Sequence, residues 1–161
     1  MLPFLTALFV VDIFTKLTPE TACFGARGKS FGKVYINRTC SFSHVKLVHR
    51  SGFVRCASDS YRNSNFGCLS RPPQKADITV ILTDSADTMI YPDTPPGNTD
   101  FAYHLEGYTC MSPEIVLELK KPFKVNAGET LRIWYGEDLS GSNSSSDNSG
   151  TSCVDVYAWP A

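Results

Sequence analysis

The sequence predicts an all-β fold: an antiparallel β-sandwich or jelly roll, stapled by disulfides. Three observations predict it. Apolar residues recur with a period of two along most of the 161-residue chain, and no window carries a helical stripe. Gly, Pro and Asn punctuate about eight to ten short runs of that kind, the pattern of a sandwich. All six cysteines lie beyond an apolar start, Met-Leu-Pro-Phe-Leu-Thr-Ala-Leu-Phe-Val-Val. An even cysteine count behind such a start reads as a disulfide framework, because secretory compartments are oxidising.

Strands follow in order along the chain. One is expected near Lys33–Asn37. Val45 and Leu47 then oppose His44 and Lys46, and Ile78, Val80 and Leu82 oppose Thr79 and Thr83. Successive side chains of a strand point to opposite faces, so each set marks a half-buried strand. Further strands are expected near Thr88–Tyr91 and Ala102–Tyr108. In Glu114–Lys120, Ile115, Leu117 and Leu119 share one face, and Glu114, Glu118 and Lys120 share the other. Asn126-Ala-Gly128 supplies a turn between Phe123–Val125 and Thr130–Gly136. Leu131, Ile133 and Tyr135 alternate with Arg132 and Trp134, as Val154, Val156 and Ala158 do with Asp155, Tyr157 and Trp159. Thr130–Gly136 and Cys153–Trp159 are expected to pair as a hairpin across the Ser-rich loop Ser140–Gly150.

The apolar start is long enough for a signal-peptide core and too short to span a bilayer. It divides the chain into a leader, 1–22, and one domain, 23–161. About 140 residues suffice for one full core. The leader lacks a basic residue after Met1, and Asp12 interrupts it. No second long apolar segment follows, so no membrane span is expected. The sequons Asn37-Arg-Thr39 and Asn143-Ser-Ser145 fit a secreted glycoprotein. Among the fifteen pairings six cysteines allow, Cys56–Cys68 pins a loop-like segment, and Cys110–Cys153 and Cys23–Cys40 complete the expected set.

Charge is uneven. Phe24–Lys75 holds ten Lys or Arg and one acid; the chain from Ala76 onward holds four and thirteen. The two nearly cancel, to a net −1. The basic residues are spread out, which fits strands complementing each other better than a polyanion site. Nucleic acid is not an expected partner. A sulfated glycan or an acidic matrix polymer remains the anionic alternative.

The catalytic and zinc signatures are missing. No His-x-His, HExxH, CxxC or G-x-S-x-G occurs, and His44 and His49 are an odd number apart on one strand. His104 and Glu106 could form a proton-transfer pair, but such pairs are most often surface features. The expected protein is therefore not an enzyme. Calcium is the one cofactor the acids could hold, since it takes six to eight oxygens. One acidic set is Asp84, Asp87, Asp93 and Asp100; the better one is Glu137, Asp138, Asp147 and Asn148 at the mouth of the expected hairpin.

The candidate ligand face is aromatic. If the apolar faces of the last two strands turn inward, Arg132, Trp134, Asp155, Tyr157 and Trp159 share the opposite face. Two indoles, a phenol and paired charges there could stack a sugar or a protein partner. Burial of that face would make it a second core instead.

Leu131-Arg-Ile-Trp-Tyr-Gly-Glu-Asp138, Asp147-Asn-Ser-Gly150 and Cys153-Val-Asp-Val-Tyr-Ala158 together resemble the closing hairpin of uncharacterised secreted β-sandwich modules of marine invertebrates. The general shape is similar to galactose-binding-like jelly rolls. The resemblance covers the last fifth to third of the chain and implies fold and extracellular setting. The expected function is a secreted binding module for a glycan or extracellular-matrix component. A structural or adhesive matrix protein is the alternative, and a secreted enzyme the third. Oligomeric state stays open.

Overall fold

The computed structural model describes residues 13–58, 63–67, 77–141 and 146–161. Its strands are β1 Thr15–Lys16, β2 Ala22–Gly25, β3 Gly32–Tyr35, β4 Cys40–Arg55, β5 Asn63–Ser64, β6 Asp77–Ile78, β7 Val80–Thr83, β8 Met89–Tyr91, β9 Tyr103–His104, β10 Glu114–Val125, β11 Thr130–Tyr135 and β12 Ser149–Pro160. A short helix, α1, spans Gly136–Ser140. One sheet runs β1-β12-β4-β10, with β2 also on β12 and β5 on β4; the other runs β3-β11-β7-β8. The pairings within both are antiparallel, and β6 and β9 form a separate ribbon. The all-β antiparallel sandwich with a disulfide is thus the fold of this chain.

The period-two faces meet between the sheets. Val45 and Leu47, Ile115 and Leu117, and Val154 and Val156 come from one sheet; Val80 and Leu82, and Leu131 and Ile133, come from the other. All are nearly inaccessible and belong to one core cluster. Burying such faces on both sides of a layer about 10 Å thick is the main drive for sandwich formation.

β4 is the organising strand, and it changes parity twice. Its register against β12 slips between Trp159 and Pro160 and again between Cys153 and Val154. Each slip leaves one residue of β4, Ser43 and then Arg50, without an opposite number. A bulge of this kind shifts the in/out alternation by one. Phe42, then Val45 and Leu47, then Val54 therefore all reach the core despite their mixed spacing.

The expected hairpin between the last two strands does not form. β11 pairs with β3 and β7, whereas β12 pairs with β4, β2 and β1. Between β11 and β12 the chain passes from one sheet to the other, with α1 directly after β11. A crossover satisfies the same inward parity as a hairpin, so alternation alone could not separate them. The turn at Asn126-Ala-Gly128 does form, with the Glu129 N–H donating to the Asn126 carbonyl at 3.1 Å.

The disulfide pairing also differs from expectation. Cys23 bonds to Cys153, its register partner on the neighbouring strand. That excludes both Cys23–Cys40 and Cys110–Cys153. Cys40 carries a free, partly buried thiol, and burial pushes its pKa up. Cys110 is engaged in a bridge of its own. The expected Cys56–Cys68 pair lies outside the described residues, because Cys68 does.

The sandwich begins before the expected boundary at residue 23. Thr15 and Lys16 pair with Ala158 and Tyr157, the Leu17 N–H donates to the Val156 carbonyl at 2.8 Å, and Leu17 is buried. Residues 1–12 lie outside the described residues.

Gly52, where β4 bends beside the second bulge, is a backbone requirement. Its φ is +72°, and a Cβ there would sit 2.0 Å from the Thr151 carbonyl oxygen. Gly128 also has a positive φ, +89°, but open space around it. Gly52→Ala is expected to lose roughly 3 kcal/mol by urea unfolding, against about 1 kcal/mol for Gly128→Ala, because only the first adds a backbone clash to left-handed strain.

Candidate functional site

The five residues expected to share one face are divided between the two sheets. Arg132 and Trp134 lie on the outer side of β11, and Asp155, Tyr157 and Trp159 on the outer side of β12. The parity of each strand is as expected; their neighbourhood is not, because the strands do not pair.

On the β11 side Trp134 is only 3 % exposed. Phe31 covers it at 4.7 Å between ring centroids, and its Nε1–H donates to Thr83 Oγ1 at 3.2 Å. Its neighbour on β7, Ile81, is inaccessible as well. Arg132 stacks over Phe31 at 4.3 Å and pairs with Asp87 at 2.7 Å. A sealed indole with its N–H satisfied has nothing left to offer a ligand. This part of the expected face is a small second core.

On the β12 side Asp155 is a structural tie. It is buried, and it accepts from Arg50 Nε at 2.7 Å and Thr21 Oγ1 at 3.0 Å, with Lys16 Nζ at 3.2 Å. Arg50 reaches it from the second bulge of β4. Burial pushes the Asp155 carboxyl up, but the bonds from Arg50, Lys16 and Thr21 outweigh it and hold the pKa below its ordinary value of 3.8. Above that value the carboxylate is ionised in both folded and unfolded chains, and its stabilisation is fully present. Below it the unfolded chain takes up the proton first, and the stabilisation is lost as pH falls through the folded pKa. Melting temperature of the native chain should therefore drop below pH 3.8 by more than that of Asp155→Asn. Equal acid slopes would assign the loss to other carboxylates.

Tyr157 and Trp159 remain partly exposed and anchor an aromatic ridge. His44, opposite Trp159 on β4, stacks on the indole at 4.9 Å, and Phe14 meets it edge-on at 5.5 Å. The Lys46 ammonium lies over Phe14 at 4.6 Å and Tyr157 at 5.2 Å. Ser43, the unpaired residue of the first bulge, hydrogen-bonds His44 Nδ1 through its Oγ at 2.8 Å and so fixes the ring.

His44 also forms one wall of an open groove of about 760 Å³. Tyr91 and Pro92 from the end of β8, Tyr108 from the segment after β9, and Val116 and Glu118 from β10 line the rest. Polar side chains edge it: Asp93 and Lys120 pair at 3.4 Å, and Glu118 Oε1 stands 4.0 Å from His44 Nε2. Burial and the nearby Asp93 and Glu118 carboxylates push the Tyr91 hydroxyl pKa up, so it stays protonated as a donor. Aromatic walls with a few hydroxyl, carboxylate and imidazole groups suit a polyhydroxylated ligand. Tyr91 and Tyr108 were missed in the sequence because they come from a three-residue strand and a loop. The signal that could have found them is the density of Tyr in a stretch rich in Pro and Gly.

The acidic sets separate. Asp84 accepts from the Ala86 and Thr88 N–H groups within its own turn, Asp87 pairs with Arg132, and Asp93 with Lys120. At α1, Asp138 accepts from the Lys29 and Ser30 N–H groups at 2.9 Å each, while Asp147 is exposed. Only Glu137 and Asn148 come together, through a short buried hydrogen bond from Asn148 Nδ2 to Glu137 Oε2; Asn148 Oδ1 is buried without a partner. Adjacent helical residues point about 100° apart, so Glu137 and Asp138 cannot both face one ion from α1. The expected set of four calcium ligands is therefore not assembled, and among the described residues no three His, Cys, Asp or Glu side chains converge.

His104 and Glu106 do approach, at 3.3 Å, but both are well exposed, as a surface pair is. Asn37 is exposed, as a glycan acceptor must be, and Asn143 lies outside the described residues. No described helix is long and apolar enough to cross a membrane.

Comparison with known proteins bears on the whole chain. No family model and no curated protein matches it. Among solved structures it is similar to AJLec from the sea anemone Anthopleura japonica, with 30% identity and a TM-score of 0.82. The similarity covers 93% of this chain and 98% of that one.

Proposed function

The chain belongs to the family of the sea anemone lectin AJLec, and on that premise we propose that it is a secreted module that binds a glycan outside the cell. The near full-length similarity to that lectin carries this reading. The disulfide between Cys23 and Cys153 supports the extracellular setting, since such bonds persist in oxidising compartments. The kinship also favours binding over catalysis.

The groove beside the Trp159–His44 ridge is the proposed binding place. Its tyrosine rings can lie against the apolar face of a sugar, and Glu118, His44 and the Tyr91 hydroxyl can bond its hydroxyl groups. Trp159 does not line the groove; it backs His44 and holds that wall in position.

A glycan array probed with the processed protein, with and without calcium, tests the function. Selective capture of a glycan class supports it. Silence on every glycan together with self-association would replace it with the structural or adhesive matrix reading. Tyr91→Ala tests the place: capture should weaken by at least about tenfold, the scale of losing one stacking contact with its hydrogen bond. Trp159→Ala should weaken it less, through His44 alone. Unchanged capture by a folded Tyr91→Ala protein would move the site elsewhere on the sandwich.

A further inference from the structure

The groove has a charge of its own, distinct from that of the chain as a whole. Three carboxylates line it, Asp93, Glu106 and Glu118, against one ammonium, Lys120, and the imidazole of His44. Lys120 is paired with Asp93. Glu118 faces His44 at 4.0 Å and Glu106 faces His104 at 3.3 Å, and neither meets a lysine or arginine among the described lining residues. Both side chains are largely exposed, so their charge is directed to solvent at the groove mouth.

The aromatic walls act in the same sense. The faces of Tyr91 and Tyr108 carry the negative side of the ring quadrupole, which attracts a cation and repels an anion. The Tyr91 hydroxyl is shifted upward first by burial, and the Asp93 and Glu118 carboxylates add to the shift in the same direction. Among the described residues that line the groove, only His44 comes from the basic segment Phe24–Lys75.

We propose that this groove selects amine-bearing saccharides over their acylated counterparts and rejects sulfated ones. The inference rests on the glycan-binding reading above and specifies its ligand class. It also reverses the expectation, drawn from the basic half of the sequence, that an anionic glycan is the alternative partner. The sugar ring stacks on the tyrosines, and its ammonium group sits at the mouth between Glu118 and Glu106.

The test holds the sugar constant and changes only its nitrogen. Oligomers of glucosamine and of galactosamine are offered as the N-acetyl, free-amine and N-sulfo forms. The buffer keeps the amine protonated and the carboxylates ionised. Affinities are read by titration calorimetry at low and at high salt. The amine form should bind about fivefold tighter than the N-acetyl form at low salt, the scale expected of one or two exposed charge contacts. The N-sulfo form should bind more weakly than either. The differences should shrink at high salt, where exposed charges are screened beyond a few ångströms. Glu106→Gln, at an exposed position to which no hydroxyl contact is assigned, should reduce the amine preference while leaving N-acetyl affinity within twofold.

Equal affinity for the amine and N-acetyl forms, or tighter binding of the N-sulfo form, would overturn the selectivity and leave glycan binding standing. Amine preference that persists in Glu118→Gln and Glu106→Gln alike would overturn the assignment to this groove. No binding of any form, on a protein silent across the glycan array, would remove the glycan reading and this inference with it.

Discussion

Replacing Cys23 and Cys153 together by Ser should lower the unfolding free energy by about 4 kcal/mol. The bond closes a loop of 130 residues, nearly the whole described domain. Cross-linking a chain over that separation removes conformations mainly from the unfolded ensemble, and a chain-entropy account assigns about 5 kcal/mol to a loop of such length. The other bridge, at Cys110, already restricts part of the same unfolded chain, which reduces the figure. The native state loses little by comparison, because Cys23 and Cys153 stay register partners on paired strands. Urea unfolding of the double variant, with Cys40 untouched, reads the difference. A loss below about 1 kcal/mol would mean that the bridge leaves the unfolded chain nearly as free as without it.

Much of this fold was legible because burial in a sandwich depends on parity. In β10 and β12 the inward sets Ile115, Leu117 and Leu119 and Val154, Val156 and Ala158 are the ones alternation selects. Which strands pair was not legible. A hairpin and a crossover between sheets both turn the apolar residues of β11 and β12 inward, so the pattern is degenerate between them. The bulges of β4 were hidden for the opposite reason: they break alternation at Ser43 and Arg50, and a sequence read for strict alternation ends the strand there.

The candidate site inherits that degeneracy. Tyr157 and Trp159 were placed on an outer face and lie on one, but the partner that stacks on Trp159 is His44, across β4, and not Trp134. Trp134 belongs with Phe31, from a loop before β3 whose packing leaves no periodic trace. Asp155 was grouped with sugar-binding residues because it is charged on an outward position. Its partners Lys16 and Thr21 come from a segment assigned to the leader, so their role as anchors could not be read. Tyr91 and Tyr108 converge only through tertiary structure, and their spacing along the chain says nothing of it.

Phe42→Ala should be the most damaging single side-chain truncation on β4, at roughly 4 kcal/mol. Phe42 is inaccessible, and its ring lies 5.8 Å from that of Phe123, its register partner on β10. On the other side it stands opposite Pro160 at the end of β12. It therefore fills the core where three strands of one sheet meet. Truncation loses the transfer free energy of the ring and leaves a cavity that paired strands cannot collapse into without breaking their ladders. Phe42→Leu keeps most of the volume and should lose less than about 1.5 kcal/mol. Lys124→Ala, exposed on the adjoining end of β10, should stay within about 0.5 kcal/mol. Urea unfolding of the three variants, with unchanged m-values, checks the ranking. The first bulge adds a functional reading to the same experiment. Ser43 separates Phe42, in the core, from His44, on the groove wall, so a cavity under Phe42 undermines the bulge that aims His44. Phe42→Ala should consequently weaken glycan capture even at temperatures where it is fully folded, whereas Phe42→Leu should not. Equal capture by both folded variants would show that His44 is held by its stack on Trp159 and its bond to Ser43 alone.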